Sequence, residues 1–201
     1  MIAIIDYGMG NLRSVQKAFE IQGIDAVITR DKQKIKDASH VILPGVGAVK
    51  DALCNLEKYE LVPLIKDQVK SGKPFLGICL GMQMMLSKSF ENGEFECLDI
   101  FGGEVVPFKT ELNVPHIGWN DIKICKKDKI FEGLEGKENY VYFVHSYHAS
   151  GVARENILTQ TTYDYEFTSA VFKDNVYGFQ FHPEKSGDTG LRMLKNFGGI
   201  K

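Results

Sequence analysis

The chain has 201 residues, enough to bury a substantial core, and we expect one domain over residues 1–201. Hydrophobic residues make up 44% and charged residues 25%, as in ordinary globular proteins, and a net charge of −2 gives no reason to expect nucleic-acid binding. The apolar run at residues 1–5 ends at Asp6 and is too short to cross a membrane. We therefore expect no membrane partner and a cytoplasmic location.

The first half of the chain alternates between strand-type and helix-type patterns. Short apolar runs rich in β-branched residues predict strands at residues 2–5, 25–29, 40–43 and 75–78. Helical patterns predict helices at residues 12–22, 49–56, 61–71 and 80–86, with a short helix or turn at residues 33–37. This alternation predicts an α/β fold with a mostly parallel central sheet, right-handed crossovers and helices on both faces.

After Gly93 the pattern changes to short strands separated by turn residues. The predicted strands lie at residues 102–107, 122–124, 139–145, 169–173 and 176–181. We treat the segment around Trp119 as a loop. The carboxyl half is therefore expected to be β-rich.

Four cysteines are present, and none belongs to a C-x-x-C pair. Their wide spacing fits neither a structural zinc site nor a small disulfide framework, so we expect reduced thiols and no metal. Only Cys79 lies between glycines, in the spacing Gly77-x-Cys79-x-Gly81 at the end of the fourth predicted strand. This is the thiol counterpart of the nucleophile elbow, a strand-to-helix turn that exposes a nucleophile above a sheet. Taken alone, Cys79 is better explained as a small buried apolar residue that ends a core strand, so the prediction of a nucleophile depends on finding its partners elsewhere in the chain.

Two other glycine-rich turns follow predicted strands. Gly8-x-Gly10 lacks the third glycine of a dinucleotide-binding motif, because Arg13 occupies that position, so no nucleotide cofactor is expected. The turn is either purely structural or part of a surface for a partner. The second turn, Pro44-Gly45-Val46-Gly47, lies where open α/β sheets place their sites and could direct an N–H group at an oxyanion, although an ordinary connection also explains it.

The last predicted strand ends in His182-Pro183-Glu184. Proline ends the strand, so that Glu184 can reach the ring of His182 and leave Nε2 free to accept a proton from a thiol. Alone, the tripeptide is also consistent with a polar turn. Together with Cys79 and the glycine-rich loop it supplies a nucleophile, a base, an orienting acid and an oxyanion hole.

These residues resemble a known family. Residues 77–83 and His182-Pro183-Glu184 are similar to the signature of the class I, triad-type glutamine amidotransferases, and the resemblance covers essentially the whole chain. Within that class, four further segments resemble the glutaminase subunits of imidazole glycerol phosphate synthases. They are residues 6–12, Pro44-Gly45-Val46-Gly47, His116-Ile117-Gly118-Trp119-Asn120 and Lys185 directly after the triad acid.

The resemblance implies a role for each site residue. Cys79 would attack the side-chain amide of glutamine, with His182 as acid and base, Glu184 as orienting acid, and the N–H groups of Leu80 and Gly47 as the oxyanion hole. The implied substrate-binding residues are Gln83, Tyr142, Ser146 and Tyr147. The implied partner-interface residues are Gly10, Asn11, Trp119 and Lys185.

The resemblance also implies a heterodimer with a (β/α)₈-barrel cyclase that consumes the ammonia, because ammonia released into neutral water is lost as ammonium. Neither a cofactor nor a metal is implied. Three alternatives stay open: a self-contained thiol hydrolase similar to γ-glutamyl hydrolases, a subunit of a paralogous synthase with another acceptor, and a regulatory subunit that has lost the chemistry.

Overall fold

The computed structural model of the protein describes residues 1–136 and 138–201. Within these residues six α-helices are formed: α1 Leu12–Glu20, α2 Lys32–Asp37, α3 Val49–Lys58, α4 Val62–Lys70, α5 Leu80–Met84 and α6 Gly187–Gly198. The strands are β1 Ile2–Ile5, β2 Ala26–Thr29, β3 His40–Gly45, β4 Phe75–Cys79, β5 Lys88–Ser89, β6 Phe95–Glu96, β7 Glu104–Pro107, β8 His116–Asp121, β9 Lys123–Ile124, β10 Tyr140–His145, β11 Tyr147–Ser150, β12 Ile157–Tyr163, β13 Tyr165–Lys173 and β14 Val176–Phe179. Three short 3₁₀ helices lie at Lys129–Phe131, Arg154–Asn156 and Pro183–Lys185.

One large sheet joins the two halves of the chain. Its main path runs β2-β1-β3-β4-β14-β13-β11-β7-β5-β6. The first five strands are parallel to one another, because β14 from the carboxyl half pairs with β4 in the same direction. From β14 to β7 the pairing is antiparallel. The predicted alternation in the first half and the β-rich second half are both present.

Apolar side chains cover both faces of this sheet. On one face, α1 and α6 contribute Phe19 and Phe197 to a buried cluster. On the other face, α3, α4 and α5 contribute Leu56, Ile65 and Met82. The central strands are buried along their whole length, which is why their sequences are apolar without alternation. No helix in the described part of the chain is long and apolar enough to span a membrane.

A small second sheet pairs β8 with β10 in antiparallel register, with Trp119 opposite Tyr142 and His116 opposite His145. The expected loop around Trp119 is therefore wrong, because Trp119 lies within β8. The strands β11 and β12 and the helix α6 are further elements that the sequence patterns did not predict.

Candidate active site

Three neighbouring parallel strands end at the same edge of the large sheet. In the register of the sheet, Gly45 at the end of β3 lies beside Cys79 at the end of β4, and Phe179 of β14 lies beside Ile78. The chain that leaves β14 reaches His182 three residues later. Because parallel strands present their carboxyl ends together, residues separated by more than one hundred positions meet at this edge.

Cys79 lies on a strained turn between β4 and α5. Its φ of 53° and ψ of −109° are far from helix and strand values, a conformation that costs about 1–3 kcal/mol and needs a tightly packed frame. This packing requires glycine at two positions. A β-carbon on Gly81 would overlap the Leu43 carbonyl oxygen, and a β-carbon on Gly77 would overlap the Met85 sulfur. The predicted elbow is therefore present, with Leu80 as the first residue of α5 and an N–H free of helical pairing.

His182 and Glu184 form a buried pair beside the elbow. Nδ1 of His182 lies 2.9 Å from Oε1 of Glu184, and the side chains are 3% and 1% exposed. This contact is the one that the His-Pro-Glu spacing predicts. The backbone N–H of His182 donates to the Tyr142 carbonyl oxygen at 2.9 Å, which ties this turn to β10. Nε2 of His182 makes no hydrogen bond to any described residue.

The surroundings of His182 favour its charged form. Burial by itself lowers the pKa of the imidazole, but the opposing interactions with Cys79 and Glu184 outweigh burial and raise the pKa to about 10. An imidazolium flanked by a carboxylate on one side and a sulfur on the other fits a thiolate–imidazolium pair, which is the reactive state of a cysteine nucleophile.

A cavity of about 420 Å³ opens over these groups, within the usual range for small-molecule sites. Its walls come from the segments at the ends of β3, β4, β10 and β14, from the loop between β5 and β6, and from the residue before β8. The lining residues are Val46, Gly47, Cys79, Leu80, Gln83, Glu91, Pro115, Val144, His145, Ser146, Tyr147 and His182. Both oxyanion-hole candidates, the nucleophile and the histidine thus face one space.

The glycine-rich loop after β3 is anchored on both sides of its Val46–Gly47 peptide. The Tyr7 hydroxyl donates to the Pro44 carbonyl oxygen at 2.9 Å, and the Val49 N–H donates to Oε2 of Glu91 at 2.7 Å. Gly47 has φ +96°, a conformation that favours glycine, and it is exposed. The Val46–Gly47 peptide lies between these two anchored residues and lines the cavity.

Two buried amides connect the nucleophile with the cavity wall. Nε2 of Gln180 donates to the Cys79 sulfur at 3.8 Å. Both N–H groups of Gln83 are used, one on Oε1 of Gln180 at 3.1 Å and the other on the Tyr147 carbonyl oxygen at 3.0 Å. Gln83 therefore lines the cavity with only its oxygen left for a ligand.

The residues expected at the substrate and partner sites fall into two groups. Ser146 and Tyr147 line the cavity, whereas Tyr142 does not and lies on the outer face of β10. There its ring centroid is 6.2 Å from that of Trp119 and 5.8 Å from Nζ of Lys185. Trp119 is 57% exposed, so these three side chains form a surface cluster.

The turn with Gly10 and Asn11 lies against the oxyanion loop. A β-carbon on Gly10 would be 3.6 Å from the Gly45 Cα, and one on Gly47 would be 2.9 Å from Cε of Met9. Asn11 is exposed and directly precedes α1.

Sequence patterns missed three residues at this site, namely Gln180, Glu91 and His145. Gln180 is fully buried between two phenylalanines, and a polar residue at the buried end of a strand is the signal that could have identified it. Glu91 and His145 carry no comparable signal, because only the folded chain brings them to the cavity.

Comparison with known proteins agrees with this geometry. A family model described as "Glutamine amidotransferase class-I" matches residues 3–199, and the chain therefore belongs to the class I glutamine amidotransferase family. A solved structure titled "Crystal structure of glutamine amidotransferase" has the same fold, with a TM-score of 0.78 at 20% identity over 100% of both chains. The predicted fold class is confirmed.

More similar relatives identify the branch of that family. The chain is 51% identical over 198 residues to the imidazole glycerol phosphate synthase subunit HisH of Caldanaerobacter subterraneus subsp. tengcongensis, covering 98% of this chain and 97% of the relative. It is 48% identical to the HisH subunit of Aquifex aeolicus, over 96% and 94% of the two chains. The chain is thus a member of the HisH group, which confirms the resemblance seen in the sequence.

Proposed function

We propose that this chain is a glutaminase subunit of imidazole glycerol phosphate synthase in histidine biosynthesis. In a single domain over residues 1–201, it hydrolyses glutamine to glutamate and ammonia and passes the ammonia to a (β/α)₈-barrel cyclase subunit. The HisH relatives, which are subunits of that synthase, support this role. The observation that carries the proposal is that Cys79 and His182 line one cavity on the carboxyl edge of the sheet, while Glu184 is paired with Nδ1 of His182.

In the first half of the reaction, the Cys79 sulfur bonds to the amide carbon of the glutamine side chain. The carbonyl electron pair moves onto oxygen, where the N–H groups of Leu80 and, after rotation of its peptide, Gly47 stabilise the negative charge. His182 then donates its Nε2 proton to the amide nitrogen. The carbon–nitrogen bond breaks, ammonia leaves, and a γ-glutamyl thioester remains on Cys79.

In the second half, His182 accepts a proton from water as the water oxygen bonds to the thioester carbon. The carbon–sulfur bond breaks, glutamate leaves, and the thiolate of Cys79 is regenerated beside the imidazolium. Glu184 fixes the ring of His182 through Nδ1, so that Nε2 points to the reacting atoms in both halves.

The α-ammonium and α-carboxylate groups of glutamine are recognised by the wall of the cavity that faces Cys79. Glu91 is a carboxylate among the lining residues and is suited to the substrate ammonium. The backbone and hydroxyl groups of Ser146 and Tyr147 are suited to the substrate carboxylate, and Oε1 of Gln83 is a further acceptor.

The exposed face of the β8–β10 sheet is the proposed cyclase interface. Ile117 and Trp119 are 58% and 57% exposed, and the side chains of Tyr142 and Val144 lie opposite them on the same face. Val144 also lines the cavity, so this apolar face continues into the site where ammonia forms. We place Lys185 and the Gly10–Asn11 turn at the rim of the same interface.

The cytoplasm is the proposed location. All four cysteines are free thiols, as a reducing compartment requires.

Replacement of the nucleophile in the reconstituted complex tests the proposal. With Cys79→Ala, we expect synthesis of imidazole glycerol phosphate from glutamine to stop, whereas synthesis from added ammonium salt continues at the wild-type rate. Full glutaminase turnover by the isolated chain, unchanged by the cyclase, would indicate a self-contained thiol hydrolase. Unchanged glutamine-dependent synthesis in the Cys79→Ala variant would indicate a regulatory subunit. Wild-type protein that releases ammonia from glutamine but supports no synthesis of imidazole glycerol phosphate would indicate a subunit of a paralogous synthase with another acceptor.

A further inference from the structure

We infer that His116 and His145 are positioning residues that hold the Ser146–Tyr147 wall of the cavity through one ordered chain of hydrogen bonds. The chain runs from Asn120 on β8 to the Tyr147 carbonyl oxygen. The inference deepens the proposed function and rests on it, because the wall it fixes is the one assigned to glutamine. Neither histidine touches the reacting atoms in the mechanism above.

The two ends of this chain have unambiguous roles. At one end, Nδ1 of His145 lies 2.8 Å from the Tyr147 carbonyl oxygen, which can only accept. At the other end, Nε2 of His116 lies 3.3 Å from Nδ2 of Asn120, which can only donate. The orientation of the Asn120 amide is fixed as well, since its oxygen accepts from the Asp121 N–H at 2.9 Å and its nitrogen donates to the Thr162 carbonyl oxygen at 2.9 Å.

These ends determine where every proton in between must be. His145 carries its proton on Nδ1, so its Nε2 is a lone pair that can accept. His116 has a lone pair on Nε2, so its proton is on Nδ1, which lies 3.0 Å from Nε2 of His145 and donates to it. A second proton on either ring would place two N–H groups against each other or remove the Asn120 contact. Both rings are therefore neutral, with one tautomer each.

The surroundings hold the rings in this arrangement. His116 is stacked between Phe143 and Tyr163, with ring centroids 4.8 and 4.1 Å away, and it lies directly opposite His145 across the two strands. The two histidines are 3% and 6% exposed. Burial lowers the pKa of His116 to about 4. Burial also lowers the pKa of His145, to about 3; the contact with the Tyr147 carbonyl oxygen opposes this lowering, and the neighbouring histidines add to it.

The Tyr147 carbonyl oxygen is where this chain meets the nucleophile. It also accepts from Gln83, whose second N–H goes to Gln180, and Gln180 donates to the Cys79 sulfur. The Tyr147 carbonyl oxygen thus accepts two hydrogen bonds, one from His145 and one from Gln83. Loss of the hydrogen bond from His145 should move the Ser146–Tyr147 wall, which binds substrate, while Cys79 and His182 keep their geometry.

Two amide replacements of His116 separate positioning from packing. The amide nitrogen of asparagine lies near the Nδ1 position of histidine, and that of glutamine lies near the Nε2 position. His116→Asn keeps a donor for His145, whereas His116→Gln removes it. In the complex with the cyclase, we expect His116→Gln to raise KM for glutamine about tenfold with kcat within twofold, and His116→Asn to stay within threefold of wild type in both.

Equal KM values for the two variants would overturn the inference, as would a loss confined to kcat. A second measurement needs neither turnover nor a variant. In ¹⁵N-labelled wild-type protein at pH 7, long-range ¹H–¹⁵N spectra should show both rings neutral and protonated on Nδ1. A cationic ring, or a proton on Nε2 of either histidine, would refute the proposed chain of hydrogen bonds even if the complex hydrolyses glutamine. Failure of Cys79→Ala to stop that hydrolysis would refute only the proposed function.

Discussion

Nδ1 of His182 lies 2.9 Å from Oε1 of Glu184, and both side chains are closed off from solvent. A carboxylate at this distance stabilises the imidazolium and, with Cys79, keeps the pKa of His182 well above its ordinary value of 6.5 despite burial. The raised pKa favours the imidazolium at neutral pH, as the proposed proton transfer to the leaving nitrogen requires.

Glu184→Gln should shift the alkaline limb of the pH profile. The neutral amide no longer stabilises the imidazolium, so the pKa of His182 falls and the acid form is lost at a lower pH. We expect the alkaline limb of kcat/KM for glutamate release to move down by at least one pH unit, with kcat reduced tenfold or more. An alkaline limb at the wild-type position would contradict the assigned role of Glu184.

Gln180→Glu should slow alkylation of Cys79. The replacement has nearly the same shape, but it turns the amide that donates to the sulfur into a carboxylate that repels a thiolate. We expect the rate of alkylation by iodoacetamide at pH 7 to fall about tenfold or more. Gln160→Glu, a matched change beside exposed Cys125, should leave Cys79 alkylation unchanged. Equal rates in wild type and Gln180→Glu would show that Gln180 does not act on the sulfur.

Gly81→Ala should destabilise the elbow. The added β-carbon would overlap the Leu43 carbonyl oxygen inside β3, and backbone cannot move aside as a flexible side chain can. We expect a loss of about 3 kcal/mol or more in the free energy of unfolding, measured by urea titration. Gly102→Ala is the control, because a β-carbon there meets nothing within 4 Å and should cost about 0.5 kcal/mol or less. Similar losses in both variants would refute the close-packing argument.

Trp119→Ala should weaken binding to the cyclase. Trp119 is an exposed aromatic residue in the centre of the apolar β8–β10 face, the type of residue that dominates interface energies. We expect Kd for the cyclase, measured by calorimetry, to rise tenfold or more. Tyr59→Ala is the aromatic control, because Tyr59 follows the far end of α3, about 15 Å along that helix from the cavity. Wild-type affinity of Trp119→Ala would place the interface elsewhere.

The elements that the sequence did not predict are stabilised by contacts rather than by local preference. The helix α6 contains three glycines, which weaken a helix, yet it forms because Met193, Leu194 and Phe197 are buried on the sheet and Gly190 lies against the Pro183 carbonyl. In β8, residues such as Gly118, Asn120 and Asp121 favour turns, and pairing with β10 overrides that preference.

By itself, the sequence predicted the four parallel strands of the first half and singled out Cys79, His182 and Glu184 as the candidate site. The reason is that buried parallel strands are continuously apolar, and an elbow needs small residues at fixed spacing whatever surrounds it. Only the tertiary structure decided that Gln180 reaches the sulfur, that Glu91 and His145 line the cavity, and that Tyr142 lies outside it with Trp119. Those relationships join residues from distant strands, and their distances depend on sheet order and register, which no local pattern in the chain encodes.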